Sequence, residues 1–130
     1  MTKYLGKGVL LPGTVVASNY VTLSGEHKVG LFLVIYDEQL DASNNFKGNV
    51  LAFKITTSYK MITNYCVPLL DDYTNFLEKD CAALCSKIIL LDKANIFNVI
   101  GELHPYTFRQ VFKCYKRFES ELNRQLEDYI

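Results

Sequence analysis

Two short polar clusters contain side chains of this chain that could do chemistry. His27 and Lys28 stand in a predicted loop, where a histidine can transfer protons near neutral pH and a lysine can hold a phosphate. Thr56, Thr57 and Ser58 end an apolar run, and hydroxyls at a strand end can hydrogen-bond a phosphate or a base edge. The ordinary alternatives are a solvated turn for the first cluster and strand termination by turn-forming side chains for the second.

A third candidate is the basic side of the predicted C-terminal helix. Its members share one side by helical spacing and are Arg109, Lys113, Lys116 and Arg117. Acidic residues follow them, and this order opposes the helix dipole. A solvated helix face is the ordinary alternative to a contact with a protein partner or a nucleic acid. The nine tyrosines add a further option, because exposed tyrosine rings can stack on single-stranded bases.

Signatures of the common enzyme and metal sites are missing from the sequence. The chain has no Gly-x-Ser-x-Gly, no glycine-rich phosphate loop and no His-Glu-x-x-His. Its two histidines and four cysteines make a poor set of metal ligands, since no two cysteines form a Cys-x-x-Cys pair. We therefore predict no metal and no cofactor, and we interpret the cysteines as buried free thiols in a reducing compartment.

Length and charge limit the architectures and partners that the chain can have. Its 130 residues, of which 49% are hydrophobic, predict a single domain over residues 1–130 with a core that needs no disulfide. The net charge of zero argues against bulk electrostatic binding of nucleic acid, although it leaves room for a local basic groove. No apolar run approaches the roughly 20 residues that span a bilayer, and Met1–Lys7 does not begin a signal peptide. We predict a cytoplasmic protein without membrane contact.

Apolar runs bounded by polar residues predict a β sheet in the middle of the chain. Gly30–Tyr36 is uncharged and rich in β-branched and aromatic residues, which favours a strand buried on both faces. With Asn49–Thr57 it forms the predicted centre of a small barrel or strongly bent sheet. The other predicted strands are Thr14–Val21, Tyr65–Leu70, Cys81–Asp92 and Asn95–Leu103, the last as a strand or turn. Pro68 cannot donate a ladder hydrogen bond, so its strand should lie at an edge.

The last segment has the pattern of an amphipathic helix over about residues 105–129. Pro105 fits the first helical position. The apolar residues recur at a spacing of three or four and are Phe108, Val111, Phe112, Tyr115, Phe118, Leu122, Leu126 and Tyr129. Such a stripe must be buried, against the sheet in the first instance and otherwise against a second copy of the chain. The fold class predicted is therefore mainly β with a C-terminal α-helix.

Three stretches, taken in order, carry a family resemblance. Gly13–Val16 precedes a glycine-containing loop and Phe32–Ile35, Phe53–Thr57 contains Ile-Thr, and Lys87–Lys93 precedes an Ile-Gly-Glu-Leu at positions 100–103. In this order they resemble the MazF/PemK-like toxin domain over about residues 13–126. The resemblance implies an SH3-like small barrel over about 8–103, followed by the helix. It also implies a homodimer, whose groove binds single-stranded RNA and cleaves it without a metal.

The resemblance also shows where this chain departs from the family. Thr56 matches the hydroxyl of the family's Ile-Thr. The family's catalytic arginine stands in an Arg-Pro pair before the second strand, and these positions are Gly30 and Leu31 here. A later arginine of the family falls on Ile89. The resemblance therefore supports the fold more than the activity.

Metal-free cleavage requires a group that takes the 2′-hydroxyl proton and a cation that stabilises the charge on the phosphorane. With the arginine replaced, Lys28 is the nearest cation, although a lysine is a point charge without the guanidinium fork. The predicted catalytic residues are Thr56, Lys28 and His27. The predicted nucleic-acid-binding residues are Lys54, Thr57 and Ser58.

Two functional hypotheses follow. The first is a diverged MazF/PemK-like protein that binds single-stranded RNA and, if it is an enzyme, acts as a metal-independent endoribonuclease with an antitoxin as partner. The second is an inactive barrel of the same type, encoded by a phage, a plasmid or another mobile element, which binds or inhibits a host protein. The missing arginines, the neutral net charge and the abundance of tyrosine favour the second hypothesis.

Overall fold

The computed structural model describes residues 2–4, 8–40, 48–57, 65–69 and 81–129 of the 130-residue chain. These residues form seven strands and one long helix. The strands are β1 (Thr2–Lys3), β2 (Thr14–Val21), β3 (His27–Asp37), β4 (Asn49–Thr56), β5 (Cys66–Pro68), β6 (Ala82–Asp92) and β7 (Ile96–Glu102). The helix is α1 (Pro105–Glu127), and short 3₁₀ turns occupy Glu38–Leu40 and Lys93–Asn95.

The strands pair in one antiparallel sheet in the order β1-β7-β2-β3-β4-β6-β5. The centre of this sheet is β3, whose Phe32, Leu33 and Val34 are fully buried, as predicted for a strand covered on both faces. Pro68 lies in the edge strand β5, which confirms its predicted position. The predicted mainly β fold with a C-terminal helix is confirmed. Within the described residues no ladder joins β1 to β5, so the sheet there is open and not closed into a barrel.

The hairpin between β2 and β3 is tighter than the sequence suggests. His27 and Lys28, predicted to lie in a loop, instead begin β3 opposite Val21 and Tyr20. The turn needs few residues because Gly25 takes a φ of +87°, which lets its N–H donate to the carbonyl of Thr22 at 2.9 Å. The loop prediction for these two residues is therefore wrong.

Alternation along the strands separates the core into two clusters on opposite faces of the sheet. The helix-side core comprises Val15, Leu33, Phe53, Ile55, Leu69, Cys81, Ala83, Cys85, Leu103, Val111 and Cys114. The opposite core comprises Leu10, Val16, Phe32, Val34, Val50, Ala52, Leu91 and Ile96. In β4, Phe53 and Ile55 point to the helix side. The side chains of Lys54 and Thr56 therefore share the other face with Ala52.

The helix covers the sheet from its start to Phe118, whose ring centre lies 5.2 Å from that of Tyr65 beside β5. His104 caps its start, accepting a hydrogen bond on Nδ1 from the N–H of Tyr106 at 3.1 Å. Val111 and Cys114 are buried in the helix-side core, and Phe108 packs against it, so the predicted burial against the sheet is right for these turns. Farther along, Leu122 and Leu126 remain 40% and 51% exposed. In the described part of the chain, no helix combines the length and the apolar character that a membrane span requires.

A buried ion pair fixes the end of β3 against the turn after β6. Lys93 Nζ lies 2.7 Å from Asp37 Oδ2, and both side chains are almost completely buried. The carboxylate also accepts hydrogen bonds from the N–H groups of Leu10 at 2.8 Å and Gln39 at 2.9 Å. The ammonium donates to Gln39 Oε1 at 2.7 Å. The charges are thus paired and hydrogen-bonded, as burial of an ion pair requires.

Candidate functional site

A groove of about 590 Å³ lies beside the β2–β3 hairpin on the face of the sheet that is opposite the helix. It is lined by the end of β2 and the turn after it, by β4 and by β6. The polar side chains that line it include Tyr20, Lys54, Thr56 and Lys87. A volume of this size accommodates a small ligand or one or two units of a longer chain.

Two of the lining residues come from the same strand. Lys54 and Thr56 are two positions apart in β4, so the pleat directs both side chains into the groove while Ile55 between them is buried in the helix-side core. Both residues are half-buried. Because the strand is held between β3 and β6 by ladders on both sides, the spacing of an ammonium and a hydroxyl in the groove is fixed by the fold.

Lys54 is held by aromatic rings. Its Nζ lies 5.0 Å from the ring centre of Tyr20 and 4.9 Å from that of Phe32, and the two rings meet edge to face at 5.6 Å. The ammonium also donates to the carbonyl of Ile55 at 3.3 Å. Among the described residues it makes no salt bridge. Cation–π contacts of this kind orient the charge without neutralising it.

The electrostatic surroundings disfavour the charged form of Lys54. Burial is the main cause of a lowered pKa at this lysine, and the positive charges of Lys87 and then Lys28 lower it further. A cluster of three lysines around one groove is an electropositive region that an anion would stabilise. The chain as a whole is neutral, so this positive potential is local.

Lys87 reaches the groove through an irregularity in β6. The pairing of β4 with β6 changes from Phe53 opposite Ile88 to Lys54 opposite Leu84, so residues 85–87 have no partner in that ladder. Such a bulge redirects side chains. Sequence reasoning missed Lys87 and did not single out Tyr20. The one available signal for Lys87 was a lone charge within the apolar strand 82–91.

The predicted site residues are only partly brought together. Thr56 and Lys54 line the groove. Thr57 follows the end of β4 and is exposed, and Ser58 lies outside the described residues. Lys28 is exposed and 3.6 Å from Glu26, and His27 is exposed at the start of β3. These two residues do not line the groove themselves, but they stand opposite Tyr20 and Val21, which do.

The basic side of the helix is separate from this groove. Its four members are exposed, and the helix packs on the opposite face of the sheet. Lys116 pairs with Glu119 at 3.3 Å, and the Arg117 guanidinium lies 5.6 Å from the ring centre of Tyr65. At least these two cations therefore have contacts within the helix and with the adjacent strand region.

The cysteines belong to the core. Cys81, Cys85 and Cys114 are buried thiols outside any disulfide, and Cys66 is half-buried. Burial, with the neighbouring Cys114 as a second cause, raises the pKa of Cys85, so this thiol stays protonated and unreactive. Within the described ranges, no three side chains of histidine, cysteine, aspartate or glutamate come together as metal ligands.

Comparison with solved structures links this fold to a known group. An endoribonuclease in complex with its cognate antitoxin, from a mycobacterial species, is 19% identical with a TM-score of 0.60 over 82% of this chain and 91% of that chain. An endoribonuclease from a mycobacterial species is 19% identical with a TM-score of 0.59 over 83% and 88% of the two chains. The Mycobacterium tuberculosis toxin MazF-mt6 is 17% identical with a TM-score of 0.57 over 78% and 93%.

These likenesses establish that the chain has a MazF-like fold, as the order of its segments implied. At such low identity they establish the fold alone. No protein-family model matches the chain, and no curated protein sequence matches it.

Proposed function

We propose that this chain, which has a MazF-like fold, binds single-stranded RNA in the groove beside the β2–β3 hairpin and cleaves it without a metal. One observation carries the proposal: an ammonium, a hydroxyl and a tyrosine ring, from Lys54, Thr56 and Tyr20, line the same groove. A cation and a hydroxyl suit a phosphodiester, and a tyrosine ring suits an unpaired base. The similar solved structures described as endoribonucleases add support from the fold.

The chemistry proposed is an internal transfer at phosphorus. The 2′-oxygen of a nucleotide loses its proton to a base and forms a bond to the adjacent phosphorus. The bond from phosphorus to the 5′-oxygen breaks, and that oxygen takes up a proton from water. Thr56 donates a hydrogen bond to a phosphate oxygen, and positive charge in the groove stabilises the phosphorane. His27 is the proposed acceptor of the 2′-hydroxyl proton, because a neutral imidazole nitrogen can act as a general base.

The hairpin residues take part through their place beside the groove. Lys28 stands directly opposite Tyr20, so we propose that it contacts the phosphate backbone of the bound RNA. Thr57 follows the end of β4 and is proposed as a further RNA contact, as is Ser58, which lies outside the described residues. Lys54 is proposed as the nucleic-acid contact at the centre of the groove. The proposed setting is the cytoplasm, and the gene is proposed to belong to a mobile element.

The test is a cleavage assay with the full chain. Purified protein is incubated with a long single-stranded RNA in EDTA, and cut ends are mapped by primer extension. Discrete cuts that disappear in Thr56→Ala and persist in Thr107→Ala, a threonine of α1, support the proposal. Intact RNA together with no measurable RNA binding overturns it.

A second copy of the chain is the proposed partner for the exposed part of the helix. Phe112, Leu122 and Leu126 keep 40 to 51% of their surface exposed in the single chain, and a homodimer would bury them. The resemblance to the MazF/PemK-like family points to the same assembly. Sedimentation equilibrium tests it directly.

An alternative function is favoured by the rim of the groove. Val21, Leu23 and Leu90 line the groove and are exposed, and Leu23 at the hairpin turn is fully so. An exposed apolar patch of this kind fits a protein segment, either of an antitoxin or of a host protein. A protein-binding module would be tolerated when expressed alone and would retain a stoichiometric partner from cytosol. An RNA-cleaving toxin would stop growth.

A further inference from the structure

Gly30 occupies a position in β3 where a side chain would displace the Lys54 ammonium. A Cβ atom built on this residue would lie 2.6 Å from Lys54 Nζ, 2.9 Å from Tyr20 Cε1 and 3.3 Å from Phe32 Cε2. The first two distances are shorter than non-bonded carbon contacts allow. The space that a side chain would fill is taken by the ammonium of Lys54 and by the two rings that hold it.

The glycine is not explained by backbone conformation. Gly13 and Gly25 have positive φ angles, whereas Gly30 pairs with Ser18 in a regular stretch of the β2–β3 ladder. Glycine inside a strand destabilises it by about 0.5–1 kcal/mol relative to alanine, and it often marks a close approach of another group. Here the group that approaches is the Lys54 ammonium.

The location of the Lys54 ammonium in the groove is electrostatically unfavourable without a ligand. Burial of the ammonium is the main cost, and repulsion from Lys87 of β6 and then Lys28 of β3 adds to it. Among the described carboxylates, Glu26 pairs with Lys28 at 3.6 Å and Asp92 lines the groove. An arrangement that places one partly desolvated cation near two others is stabilised when an anion enters.

We propose that Gly30 is a positioning residue that admits the Lys54 ammonium to the groove, and that Lys54 with Lys87 and Thr56 forms a subsite for one phosphate group. This inference deepens the proposed function and rests on it for the biological source of the phosphate, a phosphodiester of RNA. It gives Lys54, and not Lys28, the central electrostatic role. Lys28 is exposed and already paired with Glu26.

The first experiment observes Lys54 directly. The full chain is labelled with ¹³Cε-lysine, and inorganic phosphate is titrated while the lysine signals are followed by NMR, with Lys54→Met used for assignment. We expect a saturable shift of the Lys54 signal and none at Lys113 on the helix. In Gly30→Ala the Lys54 signal should move toward that of a solvated lysine, and its response to phosphate should be lost. An unchanged Lys54 signal during the phosphate titration overturns the proposal.

The second experiment tests whether Gly30 acts through Lys54. The affinity for a single-stranded RNA with 2′-deoxy substitutions, which cannot be cleaved, is measured for Gly30→Ala, Lys54→Met and the double variant. We expect each single change to weaken binding on the order of tenfold, as for loss of one charge-assisted phosphate contact, and the double variant to be no weaker than either. Effects that add independently overturn the positioning role. If Gly30→Ala does not fold, Lys54→Met still decides the phosphate subsite.

The outcomes separate this inference from the proposed function. If the wild-type chain neither binds nor cuts RNA and Lys54 still responds saturably to phosphate, the RNA function fails and the subsite stands. If Lys54→Met binds and cuts RNA as the wild type does, the subsite fails and the RNA function stands.

Discussion

The ammonium of Lys54 lies 5.0 Å from the centre of the Tyr20 ring, on the face of the sheet that is opposite the helix. Tyr20 belongs to β2 and Lys54 to β4, and β3 lies between these two strands in the sheet. The contact therefore spans three strands and depends on the absence of a side chain at Gly30, which separates the two groups. In this contact the Lys54 ammonium is held by an aromatic ring and not by a carboxylate. The positive charge of Lys54 therefore remains available to a ligand.

The first prediction concerns the pKa of Lys54 in the free protein. This pKa should lie below the ordinary value of 10.5. Lys87→Met should raise the pKa more than Lys28→Met does, because the repulsion from Lys87 is the stronger of the two. The measurement is a pH titration of the ¹³Cε signal of Lys54. Lys113→Met is the matched control and should leave the pKa unchanged. Equal titration curves in all three variants would contradict the electrostatic account.

The second prediction follows from the sign of that shift. The folded state binds the Lys54 proton less tightly than the unfolded state does, so the cost of the buried charge is present at neutral pH. It is relieved as pH rises through the lowered folded pKa toward 10.5. The free energy of unfolding of the wild type should therefore rise with pH in this interval relative to that of Lys54→Met. Urea denaturation of both proteins at several pH values measures the difference, and parallel curves would rule it out.

The elements of this fold could be predicted from sequence because each has a strong local signal. β2 was predicted with its observed bounds, Thr14–Val21, and the helix was placed within two residues of its observed end, Glu127. The alternation of apolar residues in the strands and their three–four spacing in the helix can be read directly from the sequence. The edge position of Pro68 followed from its missing N–H. The tight turn at Gly25 could not be predicted, because a polar glycine loop and a hairpin that ends in polar residues have the same composition.

The groove was predicted only in part because it is assembled across strands. Lys54 and Thr56 lie two positions apart in the same strand, so the end of β4 indicated both residues. Lys87 lies in a bulge of β6, on one side of β4. Tyr20 belongs to β2 on the other side, and its ring contacts Lys54 over Gly30. Neither contact can be predicted from a periodic pattern in the sequence. In the sequence, Gly30 stands where the resembled family has an arginine. Its relation to Lys54 is visible only in the structure.

A third prediction concerns the buried ion pair. Lys93→Met should destabilise the protein by about 3–5 kcal/mol, because it leaves the Asp37 carboxylate buried without its cation. The two N–H groups that donate to this carboxylate compensate only in part. Chemical denaturation of the variant and of Lys113→Met, which replaces an exposed lysine of α1 outside the groove, gives the comparison. Loss of less than about 1 kcal/mol in Lys93→Met would mean that water replaces the ammonium.

A fourth prediction concerns the exposed half of the helix. If a second copy covers it, the double variant Leu122→Ser and Leu126→Ser should shift the protein toward the monomer without loss of helix, since both side chains are largely exposed in the single chain. Sedimentation equilibrium gives the association constant, and circular dichroism checks the helix. Leu11→Ser, an exposed leucine outside the helix, is the control for a general effect of polarity. Equal association of all three proteins would place any dimer contact elsewhere.

The last prediction distinguishes the effect of the Thr56 hydroxyl as a donor from the effect of the side chain's shape. Thr56→Val keeps the β-branched form that suits β4 but removes the donor, whereas Thr56→Ser keeps the donor and loses only a methyl group. If this hydroxyl stabilises a phosphorane, Thr56→Val should slow RNA cleavage by about 100-fold, in the range of a lost oxyanion donor, and Thr56→Ser should retain most of the rate. Thr107→Val, a threonine of α1 that does not line the groove, should cut as the wild type does. Single-turnover cleavage rates at saturating protein make the comparison, because they exclude differences in binding. Equal rates for the valine and serine variants would remove Thr56 from the chemical step and leave Lys54 as the group to examine.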